Sequence, residues 1–227
     1  SARREAIKLN HSATHLLHAA LRKLLGDHVT QKGSLVDAEK LRFDFSHFES
    51  IPTNILTEIE NLVNQQVREN NPLSTRVMAL DDAKAAGAMA LFGEKYDDDV
   101  RVVQMGEFST ELCGGTHVNS TGDIGLFKII SEGGISSGVR RIEAITGQAA
   151  LDYINQEADL LHNVASLLKS DKANLVKKTQ ALLTQVKQAD KALEQLKQQI
   201  AGQQSKNMMS SVKQVNDINL LVTKLVE

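Results

Sequence analysis

His11 and His15 lie four residues apart in the stretch His11-Ser-Ala-Thr-His15. On a helix that spacing is a rotation of about 400°, so both imidazoles project from one side, one turn apart. Alone, such a pair is weak evidence for a metal site. Cys113-Gly-Gly-Thr-His117 supplies a second pair at the same spacing. Gly114 and Gly115 disfavour regular helix and let the backbone approach a bound group closely. Three histidines and the sole cysteine make four N/S donors, the set suited to tetrahedral zinc. One Zn2+ per chain is therefore expected, held by His11, His15, Cys113 and His117. The plainer alternative is a buried cysteine beside a structural histidine, which does not account for the glycines. His18 extends the histidine stripe and is expected as a polar residue at the edge of the site. No Ser–His–Asp constellation and no phosphate-binding loop is readable.

These side chains need elements to carry them. In residues 3–25, Ala6, Ala13, Leu17, Ala20, Leu21 and Leu24 recur at helical spacing, and Gly26 supplies a stop. His28 to Val36 has the pattern of two short strands around Lys32-Gly33. Leu41, Phe43 and Phe45 alternate with Arg42 and Asp44, the period of a half-buried strand. Residues 53–69 return to helix, followed by a strand at 75–80 and a short helix at 83–86. Residues 100–105 and 124–130 have strand character. Gly133 to Gly138 is expected as a flexible loop before a strand at 139–145. Helices and strands in irregular order indicate an α+β fold with mixed or antiparallel strands, rather than a parallel βαβ sheet.

Glycine placement divides the 227 residues: 13 of the 14 glycines precede residue 150. The remainder has a helical period. Ile154, Leu161, Val164 and Leu168 form one stripe; Leu175, Leu182, Val186, Ala189, Leu193, Leu196 and Ile200 form another. A break at 169–172, with Ser170-Asp171 available as a cap, favours a long, coiled-coil-like helical hairpin over one continuous helix in a dimer. Residues 218–226 resemble a strand with no later partner, so the chain is expected to stop just inside another domain. The resulting division is a globular domain at 1–147, a helical arm at 148–206, and the start of a truncated C-terminal domain at 207–227. The formal charge of −2 excludes a nucleic-acid binder recognisable by global charge, though not a local basic groove. No apolar run approaches a membrane span and no apolar signal segment opens the chain, so a cytoplasmic protein without membrane partners is expected.

His11-Ser-Ala-Thr-His15, Gln31-Lys-Gly-Ser34 through Leu41-Arg-Phe-Asp-Phe45, Cys113-Gly-Gly-Thr-His117 and Gly138-Val-Arg-Arg-Ile-Glu-Ala144 closely resemble the editing domain of bacterial alanyl-tRNA synthetase. The resemblance covers nearly the whole chain, including the helical segment that leads to the family's C-terminal domain. The editing domain of threonyl-tRNA synthetase shares the ligand pairs, but Gly-Gly-Thr between Cys113 and His117 favours the alanyl family.

The resemblance implies an aminoacyl-tRNA deacylase that hydrolyses the ester of serine or glycine wrongly joined to alanine tRNA. An alanine pocket cannot exclude smaller glycine, and it rejects an added hydroxyl by only about 10²-fold, so a second hydrolytic site is needed. To spare the alanyl ester, that site must hydrogen-bond the serine hydroxyl. Thr14, Gln31 and Ser34 are the candidates, with Cys113 at the pocket floor. Their plainer roles are a helix back-bond for Thr14 and turn polarity for the other two. Arg140, Arg141, Lys32 and Lys128 are candidate contacts to the tRNA acceptor end. Strand alternation puts Arg140 and Arg141 on opposite faces, one toward RNA and the other paired with a carboxylate such as Glu143. Implied partners are the alanine tRNA, the rest of the parent synthetase, and a second chain through the helical arm or an absent C-terminal domain. Two other readings are a free-standing deacylase of the same superfamily and a non-catalytic zinc-clipped module for tRNA binding or dimerisation.

Overall fold

The computed structural model describes residues 1–89, 97–210, 212–216 and 218–221. They form two compact units, Ser1–Glu157 and Ala158–Glu227.

The first unit is built around α1 (Ala2–Leu25), whose face of Ala13, Leu16, Leu17, Ala20 and Leu21 is buried. Gly26 ends the helix at φ 116°, and its N–H donates to the Arg22 carbonyl at 2.9 Å. A four-stranded antiparallel sheet in the order β1-β2-β7-β6 provides much of the core against which α1 packs. Its strands are β1 (Gln31–Val36), β2 (Leu41–Ser46), β6 (Phe127–Ser136) and β7 (Val139–Thr146). Phe43 pairs with Ile142 and Leu41 with Ala144, so the alternating side chains of β2 and β7 stack into one buried layer. Helix α2 (Thr53–Glu69) begins after Pro52 and buries Ile59, Val63 and Val67. It also satisfies the outer edge of β6: Asn64 exchanges hydrogen bonds with the Phe127 backbone, and Glu60 accepts from the Ile129 N–H at 2.8 Å.

A second antiparallel sheet, β3-β4-β5, comprises β3 (Leu73–Ala79), β4 (Asp99–Met105) and β5 (Ser109–Leu112). The short helix α3 (Leu80–Ala85) packs on it, and Val100, Val102 and Leu112 join Ala83 in a satellite core. Strand β5 delivers the chain directly to Cys113. The expected α+β class with antiparallel strands is what the structure has.

Local chemistry moved several expected boundaries. Lys32-Gly33 is not a turn; both lie inside β1, where the pairing with β2 shifts register. The turn forms instead at Asp37, whose carboxylate accepts from the Glu39 and Lys40 N–H groups, each at 2.8 Å. Gly133-Gly134 are likewise strand residues, and the reversal comes at Gly138, φ 70°, where a Cβ would lie 2.8 Å from the Phe48 ring. Ile124 belongs to a 3-10 turn, Thr121–Ile124, with Ser120 and Asp123 as its capping box. Strand β5 has no anticipated counterpart.

Helix α4 (Gly147–Leu167) begins in the first unit, where Ala150 is wholly buried. In the second unit, α5 (Leu175–Ser210) follows a break at 168–174. Asp171 caps this break by accepting from the Asn174 N–H at 2.8 Å. The apolar stripes do not close on one another as a packed hairpin requires: Leu161, Val164, Val186, Leu193, Leu196 and Ile200 are all exposed. The strand expected at 218–226 appears as β9 (Ile218–Leu220), and its partner lies upstream, in β8 (Lys213–Val215). Residues 222–226 of that expectation lie outside the described residues.

Candidate metal centre

Helix α1 sets the His11 and His15 rings 5.2 Å apart. The loop after β5 brings His117 to 4.4 Å from His11 and 5.0 Å from His15, ring centre to ring centre. The Cys113 sulfur lies 3.3 Å from His117 Nε2 and 3.5 Å from His11 Nε2. One donor atom from each of the four residues lies within 4.8 Å of every other. Sequence spacing alone thus anticipated a cluster assembled from two segments about a hundred residues apart.

The loop's shape is fixed by residues the sequence pattern did not single out. Arg101 of β4 donates from one guanidinium nitrogen to the carbonyls of Cys113, at 2.9 Å, and Gly115, at 2.5 Å. The Cys113 N–H returns a bond to the Arg101 carbonyl at 2.9 Å. Ser12, between the two α1 histidines, accepts from the Val118 N–H at 3.1 Å and hydrogen-bonds His117 Nδ1 at 3.2 Å. The two loop glycines have different duties. A Cβ at Gly115 would meet the His11 ring, whereas the space beside Gly114 is open.

Glu111 of β5 is the other unanticipated member. It is buried between two histidines, with Oε2 at 2.5 Å from His15 Nδ1 and Oε1 at 2.9 Å from His18 Nδ1. His18 therefore sits in the core behind the cluster, against the Phe43 ring, rather than at the edge of the site. Only a strand placed opposite α1 could reveal Glu111; its position two residues before Cys113 was the one available hint.

Electrostatics in the cluster favour anions beside a cation. Burial would raise the Cys113 thiol, but hydrogen bonds from His11 and His117 and the His15 charge beside it bring it down to about 3. Burial would likewise raise Glu111, but the His15 charge and the imidazole hydrogen bonds hold it at about 2. Burial works to lower His15, and the Glu111 carboxylate overcomes it, taking the imidazole to about 10. Burial lowers His117.

The residues present fit a metal ion. His15 Nε2 is buried with no hydrogen-bond partner. A buried polar atom stranded in this way costs roughly 1–3 kcal/mol unless something binds it. The donor set, three imidazoles and one cysteine sulfur, is borderline-soft and suits Zn2+.

The other sequence candidates fare differently. Thr14 is buried on α1, and its hydroxyl donates to the Asn10 carbonyl at 2.8 Å, the plainer role. Gln31 and Ser34 lie on β1, half-buried and exposed respectively, and neither hydrogen-bonds the four clustered donors. Arg140 and Arg141 are both internally paired, contrary to the expectation of one free for RNA. Arg140 binds Glu132, and Arg141 forms a two-pronged pair with Asp44 at 2.7 and 2.8 Å. Glu143 instead accepts from Lys40 at 2.6 Å and from Ser131. Lys128 pairs with Glu60 at 3.1 Å, while Lys32 is exposed on β1.

Residues 100–143, from β4 through the Cys113 loop into β7, match the family described as the threonyl and alanyl tRNA synthetase second additional domain. The chain is 56% identical over 225 residues to the alanine–tRNA ligase of Idiomarina loihiensis, covering 99% of this chain and 26% of that protein. It is 56% identical over 224 residues to the alanine–tRNA ligase of Pseudoalteromonas translucida, with the same shares of each. The chain thus spans about a quarter of the length of these relatives, 26%. Identity of this depth over nearly every residue, together with a family match that includes the loop carrying Cys113 and His117, makes the chain a member of the alanine–tRNA ligase family, corresponding to one portion of such a protein.

Proposed function

We propose that this portion is the editing region of an alanine–tRNA ligase, hydrolysing the ester that joins serine or glycine to alanine tRNA. The observation that carries the reading is the convergence of His11, His15, Cys113 and His117 within 4.8 Å, with one buried nitrogen lacking a partner. These four residues would hold one Zn2+, whose chemistry is to polarise a bound water or carbonyl.

The remaining work falls to the chain itself. Gly115 N–H points at the Cys113 sulfur at 3.4 Å, which leaves the exposed Gly114 and Thr116 amides as donors to an ester oxyanion. Open space beside Gly114 gives the ester room to approach. Thr14 already spends its proton on Asn10, so toward a serine hydroxyl it acts as an acceptor. Gln31 and Ser34 orient the substrate from β1, and Lys32, Arg140, Arg141 and Lys128 are the candidate cations for the acceptor end.

The relatives' names and the 26% share favour a portion of a ligase over a free-standing deacylase. The rest of that ligase is then a partner, and the exposed stripe of α5 is a surface for a second chain. Among the described residues no helix is long and apolar enough to cross a membrane; work on tRNA would place the protein in the cytoplasm.

The convergence of all four donors also favours a second reading, a closed structural zinc clip without catalysis. Deacylation assays on seryl-, glycyl- and alanyl-tRNA of the alanine acceptor separate the two. Release of serine and glycine but not alanine, sharply reduced in Cys113→Ala, is the expected result. Seryl ester hydrolysis no faster than the buffer rate would sink the catalytic reading.

A further inference from the structure

Glu111 performs none of the roles assigned above, yet it is 3% exposed and its carboxylate is shared between two buried imidazoles. An ionised carboxylate only accepts, so His15 Nδ1 and His18 Nδ1 must each carry a proton. In a neutral His15 that assignment leaves the lone pair on Nε2, which is buried without a hydrogen-bond partner, as is His18 Nε2. The Glu111 carboxylate is thus held by hydrogen bonds on both oxygens, at 2.5 Å from His15 Nδ1 and 2.9 Å from His18 Nδ1. A buried carboxylate is tolerated when its oxygens are hydrogen-bonded, as both are here.

We infer that Glu111 is a positioning residue of the metal centre: it fixes the tautomer and ring orientation of His15 and is itself held in place by His18. The inference rests on the proposal that the cluster binds zinc. Its physics is that of histidine ligands oriented by a carboxylate behind them, whose loss costs about 10–100-fold in metal affinity. His18 extends the line by one member. Its Nδ1–H occupies the second carboxylate oxygen, and its ring packs 5.2 Å from Phe43, which prevents Glu111 from swinging away.

The test is zinc affinity by chelator competition on the full chain, with cobalt(II) spectra recorded in parallel. Glu111→Gln keeps the shape and removes the charge. It should bind zinc 10–100-fold more weakly, with an unchanged circular-dichroism spectrum. Its cobalt ligand-field bands should shift as His15 is freed, while the thiolate charge-transfer band persists. His18→Leu should weaken zinc several-fold, and His18→Gln, which retains an N–H donor, should restore most of it. If Glu111→Gln does not fold, the two His18 variants decide, and affinities equal to the parent's in both overturn the inference. A zinc-binding parent beside a Glu111→Gln variant of equal affinity overturns it alone. A parent chain that holds no zinc overturns it together with the metal reading.

Discussion

Gly115 lies directly beneath His11: a Cβ built on the glycine would sit 2.0 Å from the imidazole Cε1. No side chain fits there without displacing a proposed ligand, while Gly114 next to it faces open space. Gly115→Ala should therefore lose most of its zinc, and Gly114→Ala should retain it. Metal content by elemental analysis of the two purified variants checks this. Full zinc in Gly115→Ala would mean that His11 is not a ligand.

Metal-replete protein should contain about one zinc per chain, and a His11→Ala/His117→Ala double variant should contain almost none. Binding of the ion ties α1 to the loop after β5, so removal with a chelator should lower the melting temperature of the first unit. Calorimetry with and without chelator reads the effect, and coincident transitions would argue against a metal clip.

Arg101 satisfies two loop carbonyls with a single guanidinium nitrogen. Arg101→Ala should cost about 1.5–3 kcal/mol in denaturant unfolding, the range for hydrogen bonds involving a charged group. Because the loop would no longer be held in one shape, seryl-tRNA deacylation should fall by more than the zinc content does. Parallel losses of the two would instead make Arg101 a contributor to metal binding alone.

Thr14 bears on selectivity. Thr14→Val keeps the side chain's shape and should narrow the serine-over-alanine ratio of kcat/KM by about 1–3 kcal/mol. The Asn10 carbonyl loses its extra bond as well, so zinc content and stability are to be measured in the same variant. An unchanged ratio would leave Thr14 with its helix bond only. Gln31→Ala is the companion case: zinc retained, hydrolysis impaired.

The parts of the site that could be read from the sequence are those whose meaning lies in short spacing. His11 and His15 on a helix, and Cys113 and His117 across two glycines, declare themselves without a fold. Ser12, Arg101 and Glu111 do not, because each is an ordinary polar residue until an antiparallel strand or a helix face is set opposite it. The same limit applied to charge pairing. Alternation correctly separated Arg140 from Arg141, but the partner of Arg141 is Asp44, directly across the β2–β7 ladder, rather than Glu143 on its own strand. Turns failed for a related reason. Lys32-Gly33 carries a turn signal, yet the Asp37 carboxylate offered two backbone amides a better partner, and the reversal formed there.

His11 and Cys113 are 102 residues apart in the chain. An ion shared between them is therefore a crosslink in the polymer sense, closing a ring that contains most of the first unit. By the chain-entropy relation used for disulfides, a ring of about 100 residues removes on the order of 4.7 kcal/mol of freedom from the unfolded ensemble. Either ligand pair alone closes only a few residues and restrains almost nothing. The constraint arrives when the two pairs take up one ion together, so loading the metal changes the connectivity of the unfolded chain in a single step.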